Sequence, residues 1–254
     1  LTYFQYKIER LQEAHPYKII AGGYLEPRPI YTSEDYDIQS NEGPISRCVH
    51  LGLDFWLPSK TPVHTLLEGK VVMALDRKGE KEFGGFVVLE HQVDAFNFYT
   101  LYGHLDPESI AAHKVGDALK KNTLIGILGN KENNGNWAPH LHFQILLDLL
   151  DYTEDFPGVQ TYQEQDLWAD LCPDPNLLFK SNGLTPKLKP TTEDIMPFRK
   201  KHLGKSLSIQ YQEPLQVVRG HGAYLINQNG QKYLDTVNNV AHVGHEHPSV
   251  VKAG

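Results

Sequence analysis

The chain has 254 residues, 40% hydrophobic and 22% charged, with 24 Lys+Arg against 31 Asp+Glu and a formal charge of -7. That composition supports a buried core and excludes a disordered polymer, while an acidic balance without a basic block argues against nucleic acid or an anionic membrane as partner. No run reaches membrane-spanning length, and the charged lead "LTYFQYKIERLQEAHPYK" lacks the apolar centre of an export signal; the chain starts without Met and reads as a piece of something longer.

In chain order, residues 1–43 form an N-terminal extension, or the end of a preceding domain. Its glycines, prolines and acidic residues predict loops around at most a short strand or two. From 44 to 150 the pattern becomes short apolar runs cut by glycines, among them "TPVHTLLEGKVVMALD", "GGFVVLEH", "FNFYTLYGHL" and "HLHFQILLDL". These predict antiparallel strands in a mainly β domain. Residues 151–202 read as a Pro-rich connector, a trailing lid rather than a core, with one short helix at "YQEQDLWADL". Residues 203–254 resume strand-like runs, with a tight turn expected at Asn229 and Gly230, and stop at a helix start in "HPSVVKAG". Cys48 and Cys172 read as free thiols rather than a disulfide framework.

Histidines carry the chemistry. On a strand, His140, His142 and Gln144 of "APHLHFQIL" share one face, and Leu141, Phe143 and Ile145 take the other. Alternate residues stand roughly 6–7 Å apart at the backbone, farther than two nitrogens on one zinc, whose bonds are about 2 Å. One histidine as ligand and its neighbour as a proton-handling group satisfies that geometry. An HxH pair by itself is equally an ordinary polar strand face. His50 and Asp54 in "HLGLDF" would stand about 13 Å apart on a straight strand, unless Gly52 admits a bend. Asp54 sits among apolar residues, where a metal or an edge position would relieve its desolvation cost. His104, after Gly103 in "LYGHLD", is a candidate for orienting a water or exchanging a proton, or a hydrogen-bonded strand-end residue.

The ordered set H-x-G-x-D, Y-G-H-L and P-H-L-H-F, with "SKTPVHTLLEGKVV" and "VGDALKKNTLIGILG" between, resembles the LytM-like or lysostaphin-like zinc metallopeptidases, peptidase family M23, over about residues 45–148. The resemblance implies an antiparallel β-sheet domain, a duplicated hybrid motif. It also implies Zn2+ held by His50, Asp54 and His142, with His104 and His140 flanking its water and stabilising the developing oxyanion. The substrate implied is a peptide or peptidoglycan-like polymer hydrolysed at an amide bond. The loop "GNKENNGNWAPHLH" departs from the family pattern and is expected to narrow or reshape the cleft, with Trp137 either a packing residue or a substrate platform. His64, His91 and His113 match no ligand role and are expected at structural or surface positions.

From about Leu215 onward the chain resembles the start of class III pyridoxal-phosphate aminotransferases and phospholyases, without their catalytic lysine or cofactor-binding body. Pyridoxal phosphate is therefore expected only in a longer parent protein, and contact with a missing aminotransferase-like domain is a possible partnership. His242, His245 and His247 lack the partners of a clear second metal site. That tail favours a cytoplasmic setting, with the cell envelope or the extracellular space as the alternative if an export signal lies outside this sequence. It also keeps a second reading open, a catalytically silent zinc-binding or interdomain module.

Overall fold

The computed structural model describes all residues except 1, 29, 32–35, 41–42, 185–191, 208, 210, 228–230, 237–242, 246 and 254. The chain divides into two compact units, one of residues 1–26, 50–158 and 166–185, the other of residues 27–49, 159–165 and 186–254.

The first unit is built on a seven-stranded antiparallel sheet. Its spatial order is Ile20–Gly22, Leu53–Trp56, His140–Leu146, Phe96–Leu105, Gly84–Val93, Gly69–Arg77 and Ala118–Leu119. The run Gly84–Leu89 is buried at every position because apolar side chains cover both faces of the strand. Val87 and Leu89 join Val71, Tyr102, Phe143 and Ile145 in one core, and Phe86 and Val88 join Met73, Leu101 and Leu146 in another. Each such side chain contributes about 1.5–3 kcal/mol on burial. Since Phe143 and Ile145 belong to the first core, the alternate residues His140, His142, Gln144 and Leu146 face the second.

Two expectations change here. Residues 2–14, expected as irregular, form the helix Thr2–Ala14, whose Ile8 is buried and whose Gln12 Nε2–H donates to Trp56 O at 3.0 Å. Thirteen residues without Gly or Pro, stopped at His15-Pro16, are the signal for it. The connector reading of 151–202 also fails over its first half. Phe156, Trp168 on the helix Gln165–Leu171, and Cys172 lie inside the second core. Aromatic residues scattered among prolines carry no period, so their burial is invisible until the sheet is there to receive them.

The second unit carries a three-stranded antiparallel sheet of Val217–His221, Tyr224–Asn227 and Lys232–Leu234, a hairpin of Asp37–Ser40 with Gly43–Ser46, and the helices Thr192–His202 and Pro248–Ala253. Lys232 Nζ pairs with Asp37 Oδ2 at 2.6 Å, and Ile45 bridges to Gln231. The turn expected at Asn229 and Gly230 lies outside the described residues. Cys48 and Cys172 are free thiols. Among the described residues, no helix is long and apolar enough to cross a membrane.

Candidate metal centre

Strand register assembles the site. The strand His140–Leu146 lies between Leu53–Trp56 and Phe96–Leu105, with His142 directly opposite Asp54 on one side and Gly103 on the other. Directly opposed residues point to the same face with Cβ atoms about 5 Å apart, so pairing alone brings Asp54 to His142. One step along, His140 opposes Trp56, and their rings stack with centroids 6.0 Å apart.

His50 ends the short strand Val49–His50, and Leu51 and Gly52 carry the chain round to Asp54. Gly52 serves this bend by lacking a side chain. A Cβ there would stand 2.6 Å from Phe143 O and 2.8 Å from the Cε1 and Nε2 atoms of His142. The imidazole of His142 occupies the space a side chain would need.

His104 reaches the site by a bulge. Between the pairs Gly85–Leu105 and Val87–Tyr102, the His104 strand has one residue more than its neighbour, and His104 adopts φ +62°. On a regular strand it would face away from His142, because Gly103 is the residue opposite His142. The bulge turns it back, leaving its ring 4.2 Å from that of His140 and 6.3 Å from that of His142 between centroids. A left-handed conformation costs a non-glycine residue about 1–3 kcal/mol. Gly103 itself is needed for space, since a Cβ would stand 2.7 Å from Phe83 Cδ1.

His50, Asp54, His104, His140 and His142 are all buried, Asp54 to 1% exposure. Each histidine spends one nitrogen on a protein acceptor. His50 Nδ1–H donates to Gly23 O at 3.0 Å, His104 Nδ1–H to Asn134 O at 3.2 Å, His140 Nδ1–H to Ala138 O at 2.7 Å and His142 Nε2–H to Gln144 Oε1 at 3.0 Å. A neutral imidazole carries one N–H, so the other nitrogen presents a lone pair.

Those lone pairs converge. His50 Nε2 and His142 Nδ1 are 2.8 Å apart, and Asp54 Oδ1 lies 3.3 Å from the first and 3.2 Å from the second. Three acceptors facing one another without a proton to share repel, and a cation at their centre removes the repulsion. Donors on a tetrahedral zinc with bonds near 2.05 Å are about 3.3 Å apart; both distances to Asp54 match this, and the two imidazoles, at 2.8 Å, would open by about 0.5 Å to admit the ion. His50, Asp54 and His142 form a group able to hold a metal among the described residues. His140 Nε2 reaches Asp54 Oδ1 at a longer 3.7 Å. Burial, with the nearby His140 and His142 adding to it, holds the His104 imidazolium well below the usual histidine range. His104 is therefore neutral at pH 7, with Nε2 available as a proton acceptor.

The loop after Gly129 supports His104. Asn134 supplies the carbonyl that receives its N–H, the Asn134 side chain accepts from Trp137 N at 3.1 Å, and the buried Trp137 ring stands edge-on to His104. Sequence reasoning left Trp137 between packing and cleft roles; it packs. It missed Phe83, whose ring lies 5.4 Å from that of His104 and 5.2 Å from that of His142. Phe83 has only the glycines it fills, Gly103 and Gly158, as a signal, and those lie far from it in sequence. His91 is buried, donating to Glu68 O and accepting from Thr100 Oγ1; His113 donates to Ile125 O; His64 is exposed. In the second unit His245 pairs with Asp235 at 2.8 Å, and His242 lies outside the described residues.

Residues 48–151 match the profile of peptidase family M23. The chain is 31% identical over 106 residues to the peptidoglycan DD-endopeptidase ShyA of Vibrio cholerae, covering 41% of this chain and 22% of that protein. It is 47% identical over 62 residues to an alanine–glyoxylate aminotransferase 2-like protein of Drosophila melanogaster, covering 24% of this chain and 13% of that protein. Among solved structures, the catalytic domain of the antimicrobial peptidase lysostaphin from Staphylococcus simulans is 26% identical with a TM-score of 0.41, over 64% of this chain and 93% of that one. This chain thus spans under a quarter of either curated relative's length. The cytoplasmic setting expected from the tail is overturned by the peptidase relatives, since a peptidoglycan endopeptidase works on a polymer outside the cytoplasm. The aminotransferase resemblance covers too short a segment to set the compartment. The part of the chain that resembles peptidase family M23, residues 48–151, is thus the part that holds the histidine and aspartate cluster.

Proposed function

We propose that this domain is a zinc-dependent metalloendopeptidase that hydrolyses an amide bond in a peptide or peptidoglycan-like substrate, as one module of a larger protein. The observation that carries this reading is the convergence of His50 Nε2, His142 Nδ1 and Asp54 Oδ1 within 3.3 Å of one another, each histidine's other nitrogen being bound to a protein oxygen. Those three residues are the metal ligands in this reading. Two neutral imidazoles and one carboxylate would hold the ion with a net positive charge left over. When bound, zinc supplies a Lewis acid for the scissile carbonyl and lowers the pKa of water.

His104 and His140 hold and move protons. With Nδ1–H donated to Asn134 O and Ala138 O respectively, each presents Nε2 as the base. Between them they handle one proton: whichever acts as base accepts it from the attacking water and, once charged, donates it toward the substrate oxyanion or the leaving amine. Burial excludes bulk water and strengthens both interactions. A glutamate base is not needed in this arrangement.

The test is hydrolysis of muropeptides and short glycine-containing peptides by the chain as purified. Cleavage that is lost on chelation and restored by zinc supports the reading. Native protein that binds zinc stoichiometrically yet cleaves no member of a broad panel would refute the peptidase assignment.

A further inference from the structure

A ligating histidine has two nitrogens, and the hydrogen bond made by one decides which of them meets the metal. For His50 that bond goes to a backbone carbonyl. For His142 it goes to a side chain, Gln144, which is completely buried two residues along the same face. An amide can offer either an oxygen or an NH2 group, so the far end of Gln144 decides what His142 sees. Gln144 Nε2 lies 3.4 Å from Pro157 O and 3.2 Å from Cys172 Sγ. A carbonyl can only accept, so the NH2 group faces Pro157 and Oε1 faces His142. Were the amide reversed, oxygen would oppose oxygen at Pro157, and an N–H would oppose His142 Nε2. The proton of His142 would then sit on Nδ1, between His50 and Asp54, where the metal belongs.

We propose that Gln144 is the positioning residue that commits His142 to bind metal through Nδ1, and that its anchors at Pro157 and Cys172, both in the first unit, couple their placement to zinc affinity. This rests on the metal-centre reading and adds to it a residue outside the ligand and proton-handling sets. Cys172 is itself fixed: its N–H donates to Trp168 O at 2.7 Å and its carbonyl accepts from Tyr24 Oη at 2.8 Å. Burial pushes the Cys172 thiol up to about 12, so it stays protonated, accepts from the amide and does not compete for the ion. The stretch that reads from sequence as a connector thus holds a ligand's support.

The experiment uses the full 254-residue chain. Long-range nitrogen–proton NMR spectra of metal-free native protein, with His142 assigned by its loss in His142→Ala, are expected to show the Nε2–H tautomer. The Nδ1–H tautomer would overturn the proposal. In zinc competition against a chromophoric chelator, Gln144→Leu is expected to bind about 10–100-fold more weakly, the usual cost of losing such a partner. Gln144→Glu, which keeps an acceptor toward His142, is expected to bind at least as tightly as native protein. A Gln144→Leu protein with native circular dichroism and unchanged zinc affinity overturns the proposal, as does a Gln144→Glu protein tenfold weaker than native. If Gln144→Leu does not fold, the tautomer spectrum and the Glu variant decide. Failure of native protein to bind zinc would defeat the metal-centre reading instead, and the metal-free spectrum would still decide whether Gln144 orients His142.

Discussion

Gly52→Ala is the smallest change that tests how the site is assembled. The backbone at Gly52 lies outside the left-handed region, so the substitution introduces no conformational strain of its own. Its effect is steric. The new Cβ would stand 2.6 Å from Phe143 O, about 0.8 Å short of ordinary contact at 3.4 Å, and 2.8 Å from two ring atoms of His142. The carbonyl is part of a strand paired on both sides, so it yields little, and the ring must move. Overpacking of this kind costs about 1–3 kcal/mol, or roughly 2–12 °C of melting temperature in a domain of this size. Metal sites tolerate ligand displacements of about 0.2 Å, so zinc affinity is expected to fall at least tenfold, about 1.4 kcal/mol. Thermal melts with chelator and with zinc, together with chelator competition, measure both effects. Gly22→Ala is the control, because a Cβ there meets nothing within 4 Å. A Gly52→Ala protein that melts within a degree of native and binds zinc within twofold would refute the placement of His142 against Gly52.

His140→Ala and His104→Ala are each expected to retain stoichiometric zinc while peptide hydrolysis falls about 10²–10⁴-fold, the usual worth of a positioned proton-transfer group; metal analysis and initial rates on the same samples check this, and loss of zinc from either variant would move that histidine into the ligand set. A pH dependence follows from His91, remote from the metal centre, where burial lowers the pKa from its usual 6.5. The unfolded chain then takes up the proton first as pH falls, so the stability contribution is complete above about 6.5 and is lost as pH drops through the lowered folded value. Denaturant melts of metal-free native and His91→Gln protein between pH 8 and 5 are expected to show a shallower acid loss in the variant, by at most about 1.4 kcal/mol per pH unit. Identical slopes would contradict it.

Parts of the site are legible because strand geometry is local. The two-residue period puts His140, His142 and Gln144 on one face in any strand, and "HLGLDF" and "YGHL" name the other candidates by residue type and spacing. The chemistry of those residue types, two imidazoles and a carboxylate in an apolar setting, is likewise a property of the residues themselves. What Gln144 does is not legible. It shares the histidine face in sequence, but its role depends on Pro157 and Cys172, brought up by a segment that shows no period.

The sequence by itself determined the antiparallel β character of residues 44–150, the order of the histidine motifs and the shared face of His140, His142 and Gln144. Tertiary structure alone decided which nitrogens converge. His50 and His142 are 92 positions apart and meet at 2.8 Å because strand register sets Asp54 opposite His142 and the bend through Gly52 brings His50 back beside them. His104 joins them only because a bulge with φ +62° turns its side chain across the sheet. The physical reason is the same in each case: side-chain direction along a strand is a local property, but pairing register, bulges and the carbonyls that settle an imidazole's proton are supplied by distant chain.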